Sequence, residues 1–217
     1  MKADSDLKRD VEAELRWAPD LDQTDVAAKV NGGVVSLTGY VASYAQRCAA
    51  EAAVKRVAGV TGIANDLAVR AVLGAIPTDP QIARDAVAAL RSELPLIWEQ
   101  LRPVVHEGHV ALEGSVEWHY ERERAEAVVR RVHGVVSVRN SIRLSPRLVP
   151  ADVKEKILAA FARSAAIDAG HITVEAEGNE VTLRGEVRSW AERDEAQQTA
   201  WRAPGVAEVK NEITVRV

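Results

Sequence analysis

One motif occurs three times in this chain, and it restricts the fold to a tandem array of one small unit. Each copy has the form L-x-G, nineteen residues, G-V, four residues and N, without an insertion. The defining glycines and asparagines are Gly39, Gly59 and Asn65, then Gly114, Gly134 and Asn140, then Gly185, Gly205 and Asn211. A fixed period of about seventy residues indicates a repeat protein, so the repeats and not the length set the domain count.

Short proline-containing segments separate the copies. They run from Gly74 to Pro80 and from Ser145 to Pro150. We therefore predict repeats at residues 1–72, 77–145 and 149–217. Because both linkers are short, the units are expected to lie close together. Units of this size bury little surface each, so contacts between neighbours are expected to add stability.

The periodicity within a repeat alternates between helix and strand. Leu7, Val11 and Leu15 recur at helical spacing and predict an amphipathic first helix. Two short alternating segments joined by a glycine-containing turn then predict a hairpin. The pair Ser189 and Glu192 fits the capping box that begins a second helix. A last alternating strand follows the Gly-Val pair.

This order of elements predicts the architecture. Each strand is apolar on one side only, so both helices are expected on one face of the sheet. The last two strands are joined through a helix, so a right-handed parallel crossover is expected. The fold class is therefore α+β: three tandem two-layer sandwiches, each helix-strand-strand-helix-strand with a three-stranded mixed sheet.

The repeated glycine and asparagine favour a structural interpretation. The first glycine of each copy is in phase with the inward apolar residues, so its missing side chain is expected to let a helix approach the sheet. The asparagine is also in the inward phase and is expected to bond backbone groups, since an unsatisfied buried amide costs about 1–3 kcal/mol. A ligand site at these residues is the alternative.

The motif resembles that of the BON domain, the bacterial osmotically inducible and nodulation domain. The likeness covers nearly the whole chain in three copies. It includes the L-x-G step, the Gly-Val pair and the asparagine, with a valine two residues after the first glycine at Val41, Val116 and Val187. An arginine follows eight residues after that glycine, at Arg47, Arg122 and Arg193.

The resemblance implies a non-enzymatic binding module. Phospholipid or envelope-surface attachment is the function usually ascribed to this family, and osmotic or general stress is its usual setting. The whole chain is similar to cytoplasmic three-copy BON proteins of bacteria. It differs from the best-known members because no secretion signal is visible.

Charge and hydropathy restrict the partners and the location. The formal net charge is −4 and no repeat is basic, so nucleic acid is not an expected partner. Met1 to Asp6 lack an apolar core, and no segment reaches the length of a membrane span. A chain that begins natively at Met1 is expected in the cytoplasm, and one from which a leader has been removed is expected in the periplasm. The oligomeric state stays open.

Candidate catalytic and metal sites were sought without success. His106 and His109 form the only close histidine pair and have no third spaced ligand, so no metal or cofactor is predicted. Cys48 excludes an internal disulfide and aligns with Glu123 and Asp194, which predicts the exposed side of the second helix. No phosphate loop or nucleophile elbow is present, so no enzyme is predicted.

One candidate contact for a lipid or another anion lies in the second repeat. Its apolar part, Leu96, Ile97 and Trp98, is suited to the headgroup level of a bilayer. Its cationic part, suited to phosphate, comprises Arg122, Arg130 and Arg131. The alternative is that the apolar segment marks an interdomain contact and that the arginines, interleaved with glutamates, form a solvated surface.

Two functional classes remain open. The first is the lipid-binding module that the resemblance implies. The second is a cytoplasmic adaptor or oligomeric scaffold that binds protein, or a small ligand or ion, through open sheet faces and interdomain clefts. The absence of a catalytic constellation disfavours an enzyme.

Overall fold

Each of the three repeats has the predicted order helix, strand, strand, helix, strand. The structure is a computed structural model, and it describes residues 2–70, 77–146, 152–164 and 169–216. Residues 74–76 of the first predicted linker and 147–150 of the second lie outside the described residues.

The elements have equivalent positions in the three repeats. The first repeat contains α1 Asp4–Trp17, β1 Val26–Asn31, β2 Val34–Val41, α2 Tyr44–Lys55 and β3 Gly62–Val69. The second contains α3 Asp79–Glu93, β4 Leu101–His106, β5 His109–Val116, α4 His119–Val129 and β6 Ser137–Leu144. The third contains α5 Val153–Arg163, β7 Ile172–Glu177, β8 Glu180–Val187, α6 Trp190–Trp201 and β9 Glu208–Val215.

Each repeat has its own three-stranded mixed sheet, so the predicted α+β architecture is confirmed. The strand orders are β1-β2-β3, β4-β5-β6 and β7-β8-β9. The first two strands of each sheet are antiparallel, and the last two are parallel. The parallel pairing follows from the helix that connects those two strands, because a tight turn cannot join parallel strands.

A separate hydrophobic core lies between the helices and the sheet of each repeat. Leu7, Leu37 and Leu67, for example, bring α1, β2 and β3 together in the first core with almost no exposure. Complete burial of one such side chain stabilises the fold by about 1.5–3 kcal/mol. The opposite face of each sheet carries the exposed positions of the alternating strands, such as Thr38 and Arg184.

The first glycine of each motif makes room for a strand and not for a helix, so the sequence-based explanation was wrong. Gly39, Gly114 and Gly185 have φ values of 120°, 133° and 139°. A Cβ on Gly185 would collide with the carbonyl oxygen of His171, the residue before β7, and the other two glycines face the equivalent oxygens. These positions therefore exclude a side chain on both steric and conformational grounds.

The first residue of each second helix contacts another repeat. Tyr44 packs against the core of the second repeat, and Trp190 packs against the core of the first. His119 stacks on Trp201 of the third repeat. The contacts run from repeat one to two, from two to three and from three to one, so the repeats form a closed ring.

Candidate binding surfaces

The repeated asparagine ties the last strand to the second helix. The Asn140 side chain donates to the Arg122 carbonyl oxygen and to Glu126 Oε2, each at 3.0 Å, and its Oδ1 accepts from the Ile142 N–H at 3.2 Å. Asn65 and Asn211 make the equivalent bonds. All three side chains are half-buried. The amide nitrogen and the amide oxygen are thus both bonded within the repeat, which leaves few hydrogen-bonding groups for a ligand.

The repeated arginine supports the same junction in two repeats. Arg47 donates to the Asn65 carbonyl oxygen at 2.8 Å, and Arg193 donates to the Asn211 carbonyl oxygen at 2.8 Å. Arg47 does not pair with Glu51, which lies four residues later on the same helix, because Glu51 accepts from the Asn65 amide and pairs with Lys55. Backbone partners thus replace the solvated surface that the i,i+4 spacing predicts.

The third of these arginines lies at the joint between the second and third repeats. Arg122 Nη2 lies 3.2 Å from His119 Nε2, and its guanidinium lies 5.2 Å from the centre of the Trp201 ring. His119 is buried, with Glu123 Oε2 3.6 Å from its Nδ1. Burial, with a smaller contribution from the Arg122 charge, lowers the pKa of His119 to about 4.

The other two predicted arginines lie in different surroundings. Arg130 is bonded to Glu126 and lies close to Cys48 and Tyr44 of the first repeat. Arg131, after the end of α4, is exposed. The structure therefore places Arg122 and Arg130 at joints between repeats, and Arg131 is exposed at the edge of a cleft between the first and second repeats.

The predicted apolar segment is only partly available to a partner. Ile97 and Trp98 pack against the core of the second repeat, and the Arg91 guanidinium lies 5.4 Å from the centre of the Trp98 ring. Leu96 is 93% exposed. No described hydrogen bond or ring contact joins this segment to Arg122 or Arg130, so the two halves of the predicted contact are not brought together.

The outward side of α3 adjoins this segment through the contact of Arg91 with Trp98, and it was not predicted from the sequence. Arg84, Val87, Ala88 and Arg91 are all exposed there. Neither arginine forms an ion pair with a residue that the structure describes. Alignment of the repeats could have indicated this surface, because the first repeat has the charged Glu12 where the second has the apolar Val87. We call Arg84, Val87, Arg91 and Leu96 the α3 surface.

A second exposed apolar feature lies at the start of α4. Trp118 and Tyr120 have ring centroids 6.4 Å apart, and Tyr120 is 62% exposed. The equivalent residues in the first repeat are Ser43 and Ala45. The aromatic pair is therefore a property of the second repeat and not of the motif.

Cys48 is half-buried, so its prediction as an exposed residue was wrong. It faces Tyr44 and Arg130, at the joint between the first two repeats. Burial raises the pKa of the Cys48 thiol, and this effect outweighs the opposing influence of Arg130. A thiol in such surroundings stays protonated and unreactive.

The described residues contain no group of three or more histidine, cysteine, aspartate or glutamate side chains that could hold a metal ion. In the same part of the chain, no helix is both long enough and apolar enough to cross a membrane. The candidate sites are thus surfaces and clefts formed by arginine, aromatic and aliphatic side chains.

Fold and motif together define a tandem array of three small α+β domains. The family model of the BON domain matches residues 3–71, 78–146 and 151–217. The chain belongs to the BON domain family, with three copies of the domain.

A curated relative is the osmotically-inducible protein Y of Escherichia coli (strain K12). The two sequences are 31% identical over 147 residues, which cover 64% of this chain and 72% of that protein. Among solved structures, the chain is similar to CdsD, a structural protein of the type III secretion system of Chlamydia trachomatis. The identity is 15%, the TM-score is 0.27, and the match covers 97% of this chain and 92% of that chain.

Proposed function

We propose that this protein is a non-enzymatic BON-type binding module that attaches to phospholipid or envelope surfaces in an osmotic or general stress setting. Membership of the BON domain family supports the class of function. The name of the osmotically-inducible relative supports the setting. The α3 surface is the observation that supports a phospholipid partner.

The α3 surface combines the two features that attachment at a bilayer interface requires. Leu96, at 93% exposure, and Val87, at 39%, offer apolar side chains to the headgroup region. Arg84 and Arg91 flank Val87 one turn away on each side, and their guanidinium groups suit phosphate. Since each basic residue near an anionic leaflet contributes only about 1 kcal/mol, attachment depends on the apolar and cationic parts together.

The structure changes which residues we assign to the lipid contact that was predicted from the sequence. Leu96 stays in it, while Ile97 and Trp98 support it from the core of the second repeat. Arg84 and Arg91 take the place of Arg122 and Arg130, which are engaged at joints between repeats. The net charge of −4 makes long-range attraction to an anionic membrane weak, so the contact must act locally.

Vesicle flotation tests the proposal. The full chain is mixed with neutral phosphatidylcholine vesicles or with vesicles that also contain phosphatidylglycerol. We expect the wild type to float with the anionic vesicles, Leu96→Glu and Val87→Glu to lower the bound fraction, and the double variant of Arg84→Glu and Arg91→Glu to remove the anionic preference.

The third repeat provides a matched control. Leu158 is an exposed apolar residue at the position of Val87, but Glu155 and Ala162 replace the two flanking arginines. Leu158→Glu is therefore expected to leave flotation unchanged. Flotation of neither vesicle type, or equal flotation of all variants, would refute the lipid proposal.

The alternative is an adaptor or scaffold that binds a protein, a small ligand or an ion. The exposed Trp118 and Tyr120 favour a protein partner, because paired aromatic side chains are enriched in the centres of protein interfaces. If flotation fails, the same chain with both residues changed to serine should lose a protein partner captured by the wild type. The two proposals thus depend on different faces of the second repeat.

A further inference from the structure

A cleft of about 390 Å³ lies between the first and second repeats. The first repeat contributes Ala42, Ser43, Val69 and Arg70, and the second contributes Pro77 and residues 131–136. Its volume is within the range of small-molecule sites, and clefts between domains are common places for them. It is distinct from the α3 surface, with which it shares no lining residue.

The cleft has two charged side chains, and both are arginines. Arg70, Arg131 and His133 line it, and no aspartate or glutamate does. The Arg70 guanidinium lies 3.5 Å from the centre of the Tyr40 ring. Neither arginine is ion-paired with any residue in the described ranges. Asp22 and Asp25 line a neighbouring pocket of the first repeat together with Arg70, but neither carboxylate lines this cleft.

Comparison of the repeats shows that the partner of Arg131 has been lost. The equivalent arginines are Arg56, which pairs with Glu14 at 2.7 Å, and Arg202, which pairs with Glu195 at 3.3 Å. In the second repeat these two glutamate positions are occupied by Ala89 and Arg124. The charge of Arg131 is therefore left available in this repeat alone.

Arg70 has lost its partner in the same way. The equivalent residue of the third repeat is Arg216, which pairs with Glu186 at 2.8 Å. In the first repeat Tyr40 occupies the position of Glu186, and its ring lies against the Arg70 guanidinium. Stacking on an aromatic ring holds a guanidinium in place while leaving its edge N–H groups free to donate. Two independent replacements thus expose two arginines to one cleft.

We propose that this cleft binds a small organic phosphate, a phosphate monoester on a compact apolar body. The two guanidinium groups can each donate in the paired geometry that phosphate oxygens accept, and His133 provides a third donor. Val69, Val132 and Val135 form apolar walls for the remainder of the ligand. A dianion suits two arginines better than a single carboxylate does, because both charges are matched.

Isothermal titration calorimetry of the full chain tests the proposal. The probes are inorganic phosphate, phenyl phosphate and glycerol 3-phosphate, with dihexanoyl phosphatidic acid below its micellar concentration as a lipid source of the same group. Phenyl phosphate is expected to bind more tightly than inorganic phosphate, because only phenyl phosphate has an apolar ring that can pack against the apolar walls. Preference for the soluble esters identifies a free ligand, whereas preference for phosphatidic acid identifies a lipid headgroup; either supports the site.

Variants at equivalent positions make the test specific. Arg70→Ala and Arg131→Ala are each expected to weaken phenyl phosphate binding about tenfold or more. Arg202→Ala removes the equivalent arginine outside the cleft and should leave the affinity unchanged. Both cleft arginines are exposed, so unchanged circular dichroism and unfolding temperature are expected and are checked for every variant.

Two outcomes would overturn the assignment. One is the absence of heat for every probe at millimolar concentration. The other is binding that Arg70→Ala and Arg131→Ala leave unaltered, or that Arg202→Ala weakens equally. Because the test uses soluble probes, its result does not depend on whether the α3 surface binds vesicles.

Discussion

The imidazole of His119 lies flat on the indole of Trp201, with the ring centroids 4.1 Å apart and the planes at 7°. The stack joins the second repeat to the third. Arg122 can only donate to the nearby Nε2, so that nitrogen is an acceptor and the ring is neutral. Glu123 extends the joint by accepting from Gln198 of the third repeat at 2.5 Å.

This joint is expected to weaken in acid. The pKa of His119 in the folded protein is about 4, below the ordinary histidine value of 6.5, so the unfolded chain takes up the proton first as the pH falls. The stabilisation by the neutral ring is complete above about pH 6.5 and is lost progressively towards about pH 4. Chemical unfolding at about pH 7.5 and about pH 4.5 should show that His119→Phe removes about 2–3 kcal/mol of this pH dependence.

An exposed histidine provides the control for that experiment. His106→Gln changes a side chain at the end of β4 that is open to solvent. The change in the pH dependence of unfolding caused by His119→Phe should exceed the change caused by His106→Gln. A His119→Phe curve parallel to the wild-type curve would contradict the role assigned to the buried ring.

The asparagine motif is expected to contribute to stability. Asn140→Leu removes two hydrogen bonds from β6 to α4 and one within β6, and it leaves the Arg122 carbonyl oxygen, the Glu126 carboxylate and the Ile142 N–H without these partners. The free energy of unfolding should fall by about 1–3 kcal/mol, measured by denaturant titration. Asn31→Leu, at the exposed end of β1, is the control and should change it by less than about 0.5 kcal/mol. Equal stability of the two variants would exclude the structural interpretation.

Two glycines of the third repeat should respond differently to alanine. Gly185→Ala forces a Cβ onto the His171 carbonyl oxygen, whereas a Cβ on Gly178 meets nothing within 4 Å. Both have positive φ, so Gly178→Ala should cost only about 1–2 kcal/mol of conformational strain. Gly185→Ala should cost more than about 3 kcal/mol or prevent folding of that repeat, as thermal unfolding would show. Similar losses for both variants would contradict the close approach of β7 and β8.

Closure of the ring is expected to depend on Trp190. Trp190→Ala removes the indole that packs on the first repeat and should lower the free energy of unfolding by about 2 kcal/mol or more. Trp17→Ala removes an indole that is 82% exposed and should change it by less than about 0.5 kcal/mol. Denaturant titration of the two variants measures both free energies of unfolding. Equal effects would mean that the third repeat does not support the first.

The fold of each repeat was predictable because the sequence patterns that indicate its helices and strands each involve only neighbouring residues. The helical spacing of Leu7, Val11 and Leu15 and the capping serine at Ser189 depend only on residues a few positions apart. The three sheets then follow from the hairpin and the crossover connection, which leave one pairing order for three strands.

The relations between repeats were not predictable in the same way. Cys48 aligns with the carboxylates Glu123 and Asp194, yet it lies at a joint whose other side comes from the second repeat. Trp98 packs within its own repeat, whereas Arg122 of the same repeat lies against Trp201 of the third. Such placements depend on how whole units pack, and a repeat period carries no information about that packing.

The ring also determines the order of the units along the chain. Tyr44, His119 and Trp190 occupy one equivalent position with three different aromatic rings, and each ring fits a surface found on a different neighbour. The three copies are therefore no longer interchangeable, although their folds are the same. A shuffled chain with the second and third units exchanged would keep every sheet and every motif glycine, and it would place all three rings against the wrong surface.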